Sequence, residues 1–356
     1  MSEAEMLFGS DNWAGAAPEI LDAIGAANAT PQPAYGADPW TEKARSSFSE
    51  VFEKDVDVFF VATGGAANGL ALSTLVPPYG SILCHEASHV HMDECAAPEF
   101  FTGGAKLVLV PGTDGKITPS ALSDTLKQYP DRVPHSSPFS AISITQCTEL
   151  GTVYRPSEIA AVCDFAATHS LPVHMDGARF ANAVAGLQGD EGATPADLTW
   201  RAGIDVLSLG GTKNGCLAAE AVVFFNPDKV GDFAFRQKRA GQLFSKTRFL
   251  SAQFVAYFQD GLWLQLAERA NAQARKLARG LEAIPTCRLW APTEANEVFA
   301  SFHPDTEKSL LDAGATFYPW VTPGDPAAGQ MRRLICSFET TDDEIDAFLS
   351  VASKPT

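Results

Sequence analysis

Asp205-Val206-Leu207-Ser208-Leu209-Gly210-Gly211-Thr212-Lys213-Asn214-Gly215 begins as a short apolar run and ends in a lysine flanked by glycines. Val206 to Leu209 reads as a buried strand. The glycines on both sides of Lys213 bend the chain tightly and leave room for a bulky planar partner. A lysine at the end of a buried strand is partly desolvated, which favours the neutral, nucleophilic amine. Taken alone, the run also suits an ordinary loop lysine.

A second run lies upstream: Leu171-Pro172-Val173-His174-Met175-Asp176-Gly177-Ala178-Arg179. Val173 to Met175 reads as another strand, with Asp176 at its carboxyl end. In open α/β sheets, ligands bind outside the carboxyl ends of the strands. An aspartate there can hold a pyridine nitrogen protonated and so make the ring an electron sink. Arg179, on the next turn, can reach the ring's phenolic oxygen. The bland alternative is a helix-capping aspartate with a surface arginine. An aspartate at one strand end and a lysine at a later one together point to pyridoxal phosphate, held by Lys213 as a Schiff base.

Composition agrees with a catalytic domain of ordinary kind. The 356 residues suffice for one large domain and a smaller one, and 46% hydrophobic with 19% charged residues is a globular balance. A formal net charge of −17 excludes a nucleic-acid binder and docking to anionic membranes. The 7 cysteines form no CxxC pair, which fits reduced thiols in the cytoplasm; Cys84, Cys147, Cys163 and Cys336 lie in apolar runs as small core residues. The acidic start Met1-Ser2-Glu3-Ala4-Glu5 lacks the cationic and apolar blocks of a signal peptide, and no apolar run has the length of a membrane span.

Strand-like and helix-like segments alternate through the first two-thirds. Strands are expected at 56–61, 81–84, 106–110, 141–145, 173–175, 205–209 and 221–225. Helices are expected at 66–75, from Thr118-Pro119 and at 156–170. This alternation predicts a mostly parallel sheet covered by helices. After about residue 250 the pattern changes to a long helix at 263–284, strands at 297–302 and 334–338, and a last helix at 341–352 whose start fits the capping sequence Thr340-Thr341-Asp342-Asp343-Glu344. The expected division is an N-terminal segment 1–20 that contributes to the active site, a large domain 21–250 and a small α+β domain 251–356.

Thr63-Gly64-Gly65-Ala66-Ala67-Asn68 follows a strand and opens a helix, a place for a phosphate or a plain turn. It lacks the spacings of dinucleotide and P-loop motifs. His85-Glu86-Ala87-Ser88-His89 is formally a zinc-hydrolase signature, but that motif works on a helix, and Ser81 to Cys84 feeds it from a strand. No metal is expected. His89 stacked on a pyridine ring, or working as an acid or base, suits the place better, with a satisfied loop histidine as the alternative.

These residues resemble one family, the pyridoxal-phosphate-dependent L-threonine aldolases with the related L-phenylserine aldolases. Phe8-Gly9-Ser10-Asp11-Asn12, Tyr35-Gly36, TGGAAN, ASH with DECAAPEFFTGGAKL, ITQCTELG, HMDGARFANA, GGTKNG and KRAGQLFSK occur in the family's order over nearly the whole chain. The resemblance implies an aspartate-aminotransferase-type, fold type I large domain. It implies Lys213 as the cofactor lysine, Asp176 on the pyridine nitrogen, Arg179 on the phenolic oxygen and His89 on the ring. Thr63, Gly64 and Gly65 would line the phosphate. Ser10 and Arg333, or its neighbour Arg332, would hold the substrate carboxylate. Tyr35 and residues near Lys246 would come from a neighbouring subunit of a homodimer or homotetramer. Many members carry a second histidine where this chain has Glu149, so Glu149, His89 or a water would take the substrate's hydroxyl proton.

The implied reaction is retro-aldol cleavage of L-threonine, L-allo-threonine or related β-hydroxy-α-amino acids to glycine and an aldehyde. L-Phenylserine cleavage is the alternative main activity. Transamination, β-elimination, a zinc hydrolase and a non-catalytic protein of the same fold are the rivals. Phe8, His85, His91 and Phe244 are expected to bear on the choice of side chain.

Overall fold

The computed structural model describes residues 5–129, 132–321 and 330–354. Most of the acidic start, Met1 to Ala4, lies outside them. The centre is a seven-stranded sheet in the order Asp57–Val61, Glu220–Phe224, Val206–Gly210, Val173–Gly177, Phe139–Thr145, Ser81–His85 and Lys106–Val110. Every neighbouring pair is parallel except the two made by Glu220–Phe224. The sheet is therefore mostly parallel, as the alternation predicts. Its central strands are buried along their whole length, which is why they read as mostly apolar runs, interrupted by the buried polar residues His174, Asp176, Ser208 and Glu220.

Parallel pairing puts the carboxyl ends of five strands on one edge. His85, Val110, Thr145, Gly177 and Gly210 end there, and the antiparallel strand begins there with Glu220. Gly210 is needed at this edge: a Cβ on it would lie 2.7 Å from Ala178 O, so any larger residue would push Lys213's turn away from Asp176's.

The helix Gly64–Leu75 starts two residues earlier than expected because Thr63 caps it, accepting from Ala66 N. Thr118 caps Pro119–Gln128 in the same way. The helix expected to reach residue 170 stops at Thr168, since Ser170 takes a left-handed φ of 56°. Helices at Pro18–Ala27, Pro39–Val51 and Arg248–Phe258, unassigned from the sequence, pack on one another. Phe48 joins the second of these to the third, its ring centroid 5.0 Å from Phe254 and 4.9 Å from Phe258. Phe254 and Phe258 share the core of the large sheet.

A four-stranded antiparallel sheet follows in the order Tyr318–Pro319, Arg332–Ile335, Glu297–Phe302, Cys287–Leu289. The strand expected at 334–338 lies earlier because Ser337 and Thr340 close a turn, Ser337 N donating to Thr340 Oγ1 at 2.9 Å. Thr341 and Glu344 then form the capping box of the last helix. Met6–Leu7 pairs in parallel with Ala315–Thr316, and Phe8 is buried against Phe348 in the core of this smaller layer. Phe8 is thus a core residue of this layer.

Candidate active site

Asp176 is 3% exposed and both its oxygens accept hydrogen bonds, Oδ1 from Ala178 N at 3.0 Å and Oδ2 from Asn68 Nδ2 at 2.9 Å. The same nitrogen of Asn68 donates to Glu94 Oε1 at 2.7 Å. His89 Nδ1 lies 2.9 Å from that oxygen. The sheet edge therefore carries a connected row, Asp176–Asn68–Glu94–His89. Burial works against a charge on His89, but the hydrogen bond to Glu94 and the charges of Glu149 and Asp176 raise its pKa to about 9. Burial also raises the Glu94 carboxyl. His89, Glu94 and Asp176 put ligand atoms within 4.8 Å of one another. Asn68's amide donates to both carboxylates from between them, while Glu94 Oε2 and Asn68 Oδ1 are buried without a hydrogen-bond partner.

Arg179 is not on the surface. It is 8% exposed, and its Nε and Nη2 donate to Asp11 at 2.7 and 3.1 Å while Nη1 stands 3.4 Å from Glu297 Oε1. Asn296 completes Asp11's set at 3.2 Å. Burial would raise Asp11's pKa, but the charges of Arg179 and Lys213 hold it low. This buried pair ties the N-terminal segment to the large sheet. Ser10, one residue away, caps the turn Asp11–Trp13 by accepting from Asn12 N.

Lys213 sits in the turn Thr212–Asn214, half-buried. The turn is pinned on both sides: Asn214 Nδ2 donates to Tyr257 Oη and Trp263 O, each at 2.8 Å, and Ala219 N donates to Thr212 Oγ1. Among the described residues Lys213 itself makes no hydrogen bond or ion pair. Three buried carboxyl groups feel its charge, those of Asp11, Glu149 and Glu220. Burial pushes Glu149 up to about 7, with His89 and Lys213 pulling against it and Glu297 adding to it. Glu220 is pushed up to about 7 by the same cause.

The turn at Thr63, Gly64 and Gly65 stands between two of these acids. A Cβ on Gly64 would lie 3.9 Å from Glu220 Oε2, and one on Gly65 would lie 3.8 Å from Glu94 Oε2. Arg333 and Arg332 are separated by the register of their strand. Arg333 pairs with Phe299, on the face that carries Glu297 and so turns to Arg179; its guanidinium lies over Trp320 at 4.1 Å, and its buried Nε has no hydrogen-bond partner. Arg332 is on the other face, with Nε 2.7 Å from Glu307.

Tyr35 is 54% exposed, with Lys238 4.8 Å from its ring; none of the site's hydrogen bonds reaches it. His85 does not share a helix face with His89: it ends a strand, and the short helix begins only at His89. Its Nδ1 accepts from Ala87 N and its Nε2 donates to Gly112 O, so neither nitrogen is available to a metal or a substrate. The zinc reading of HEASH loses its geometry here. His91 and Phe244 are exposed.

Sequence reasoning passed over Asn68, Glu94, Asp11, Glu220 and Glu297. Asn68 had a signal, a lone amide inside the apolar helix GGAANGLALSTL, and so did Glu220, an acid opening the apolar run EAVVFF. Glu297 had the same signal at the head of EVFASF, but its partner Arg179 is distant in the chain.

The set fits pyridoxal phosphate. A lysine without a partner would receive the aldehyde, a fully oriented carboxylate would meet the pyridine nitrogen, and a glycine turn at a helix start would receive the phosphate. The comparisons agree. The profile of the beta-eliminating lyases matches residues 8–304. A low specificity L-threonine aldolase of Pseudomonas aeruginosa is 43% identical over 345 residues, covering 97% of this chain and 96% of its own. The structure of a Leishmania major threonine aldolase superposes with a TM-score of 0.89 at 28% identity, over 97% of this chain and 98% of that one. A Sphingomonas wittichii serine palmitoyltransferase shares the fold alone, with a TM-score of 0.70 at 16% identity over 98% and 86% of the two chains. The architecture is fold type I.

Proposed function

The chain belongs to the beta-eliminating lyase family, and we propose that it is a pyridoxal-phosphate-dependent carbon–carbon lyase that cleaves L-threonine and L-allo-threonine to glycine and acetaldehyde. The observation that carries this is the pairing of an unengaged Lys213 with a fully hydrogen-bonded Asp176 on one sheet edge. When bound through Lys213, the cofactor supplies an electron sink for the electrons of the substrate's Cα–Cβ bond.

The chain's own residues do the rest. Asp176 keeps the pyridine nitrogen protonated, and Ala178 N and Asn68 fix where its oxygens point. His89, held by Glu94, would lie against the cofactor's ring. Arg179, already committed to Asp11 and Glu297, presents its charge to the phenolic side. Arg333 and Ser10 would bind the substrate carboxylate and so orient the scissile bond; Arg333's unbonded Nε supports its place over Arg332. Glu149 takes the β-hydroxyl proton. Burial, which pushes its carboxyl up to about 7, makes it a stronger base than an ordinary carboxylate and so suits it to accept that proton.

Tyr35 and Lys246, both exposed, are the residues that a neighbouring copy would receive in a homodimer or homotetramer. Seven free cysteines support a cytoplasmic setting. No helix among the described residues is long and apolar enough to cross a membrane.

The test is a cleavage assay on L-threonine, L-allo-threonine and L-phenylserine with product identification. Glycine plus the aldehyde is expected, and Lys213→Ala should abolish both turnover and the visible Schiff-base absorption. A keto acid or ammonia as the main product would overturn the reading in favour of transamination or elimination.

A further inference from the structure

Glu220 is an acid in an unexpected place. It is 7% exposed and stands at the carboxyl edge of the sheet, in register with Gly210 on one side and Val61 on the other. Its Oε1 is 3.4 Å from Thr212 N, one residue before Lys213, and its Oε2 is the side-chain atom that a Cβ on Gly64 would meet. The carboxyl therefore spans from the lysine turn to the first turn of Gly64–Leu75. Among the described residues no arginine or lysine forms an ion pair with it.

That first turn is where the phosphate of the cofactor is placed above. A phosphate dianion and a carboxylate side by side in a buried site repel each other strongly, and the repulsion is relieved when one of them takes a proton. The carboxyl is the group already biased that way by burial, standing at about 7. The charged groups that act on it are Lys213, which favours its ionised form, and Asp176, which opposes it. Cys216 and Tyr257 also face it, and burial holds both well above their ordinary pKa values, so they stay neutral.

We propose that Glu220 is the proton-bearing wall of the phosphate cradle: its carboxylate takes up a proton from solvent when the phosphate binds, and the resulting acid donates a hydrogen bond to a phosphate oxygen. This rests on the cofactor reading above and extends it to a residue outside that set. It makes loading of the apoenzyme pH-dependent. Affinity for the cofactor falls as pH rises above about 7, by up to about tenfold per pH unit, because each binding event then needs a proton that the free enzyme no longer carries.

The test is calorimetric titration of apoenzyme with pyridoxal phosphate at about pH 8, in two buffers of different ionisation enthalpy, for wild type and Glu220→Gln. The wild type should take up about one proton more per site than the variant. The variant's affinity should lack the alkaline decline and should equal or exceed that of the wild type at about pH 8. Equal proton counts, or a folded Glu220→Gln that binds the cofactor more weakly at every pH, would overturn the proposal. Wild type titrated with pyridoxal, which has no phosphate, serves if the variant does not fold: the extra proton should be absent, and its presence would overturn the idea equally. Failure of the wild type to load at all would sink the cofactor reading itself, an outcome plainly different from loading without proton uptake.

Discussion

Asn68 donates its side-chain amide to Asp176 Oδ2 at 2.9 Å from within the buried helix that opens at Gly64. Its second proton goes to Glu94 Oε1, so one amide keeps two buried carboxylates apart and aims both. Replacing Asn68 by alanine removes two hydrogen bonds to charged acceptors, each worth about 1.5–3 kcal/mol. We expect kcat/KM to fall by about 10- to 100-fold or more, with weaker cofactor retention. Asn68→Asp, which adds a third negative charge, should be worse. Steady-state kinetics and the pH titration of the bound cofactor's absorbance check both, and an Asn68→Ala enzyme with wild-type spectrum and rate would refute the role.

Register separates the two adjacent arginines. Arg333 shares a strand face with Glu297, whereas Arg332 is engaged by Glu307 on the opposite face. Arg333→Ala should lower kcat/KM for L-threonine by about 10- to 100-fold, chiefly through KM, as expected for a lost charge-assisted contact to a carboxylate. Arg332→Ala should leave KM near the wild-type value. The reverse pattern would move the carboxylate site by one residue.

Glu149 predicts the acid limb of the pH profile. The base must be ionised to take a proton, and its pKa stands at about 7, so kcat/KM should rise as pH rises through that value. Glu149→Gln should lose that limb and about 10²- to 10⁴-fold in kcat. A variant that keeps the limb would shift the assignment to His89 or a water.

His174 predicts acid lability. It is wholly buried beneath the site, with Nδ1 3.0 Å from Ser143 Oγ and Nε2 2.9 Å from Ser208 Oγ, and burial pushes it down to about 4 against the opposing charge of Asp176. The unfolded chain binds this proton near 6.5, whereas the native protein binds it only near 4. Stability from this group is therefore fully present above about 6.5 and is lost as pH falls through the interval down to 4, on the order of 3 kcal/mol in all. Urea unfolding across that interval should show a shallower acid decline in His174→Gln than in the wild type; equal slopes would exclude His174 as the source.

Much of this protein could be read along the chain. Strand–helix alternation is local: a central parallel strand buries both faces and is mostly apolar, so runs such as Val206–Leu209 announce themselves. Caps are local as well, as Thr118 and the Thr341–Glu344 pair show. Lys213 and Asp176 stood out because each follows such a run. The helices Pro39–Val51 and Arg248–Phe258 were harder. Phe48, Phe254 and Phe258 come together only when the two helices meet, and no short-range period displays that.

The sequence by itself determined the layered α/β plan and the strand ends at which Asp176 and Lys213 stand. Tertiary structure alone decided which groups orient them: Asp11 on Arg179, Asn68 between Asp176 and Glu94, Glu220 beside Gly64, and Arg333 turned one way while Arg332 turns the other. The reason is physical. Backbone conformation and burial period are set by neighbours within a few residues, whereas a buried charge takes its partner and its proton from whatever segments folding brings within about 4 Å, where low polarisability makes their interaction strong.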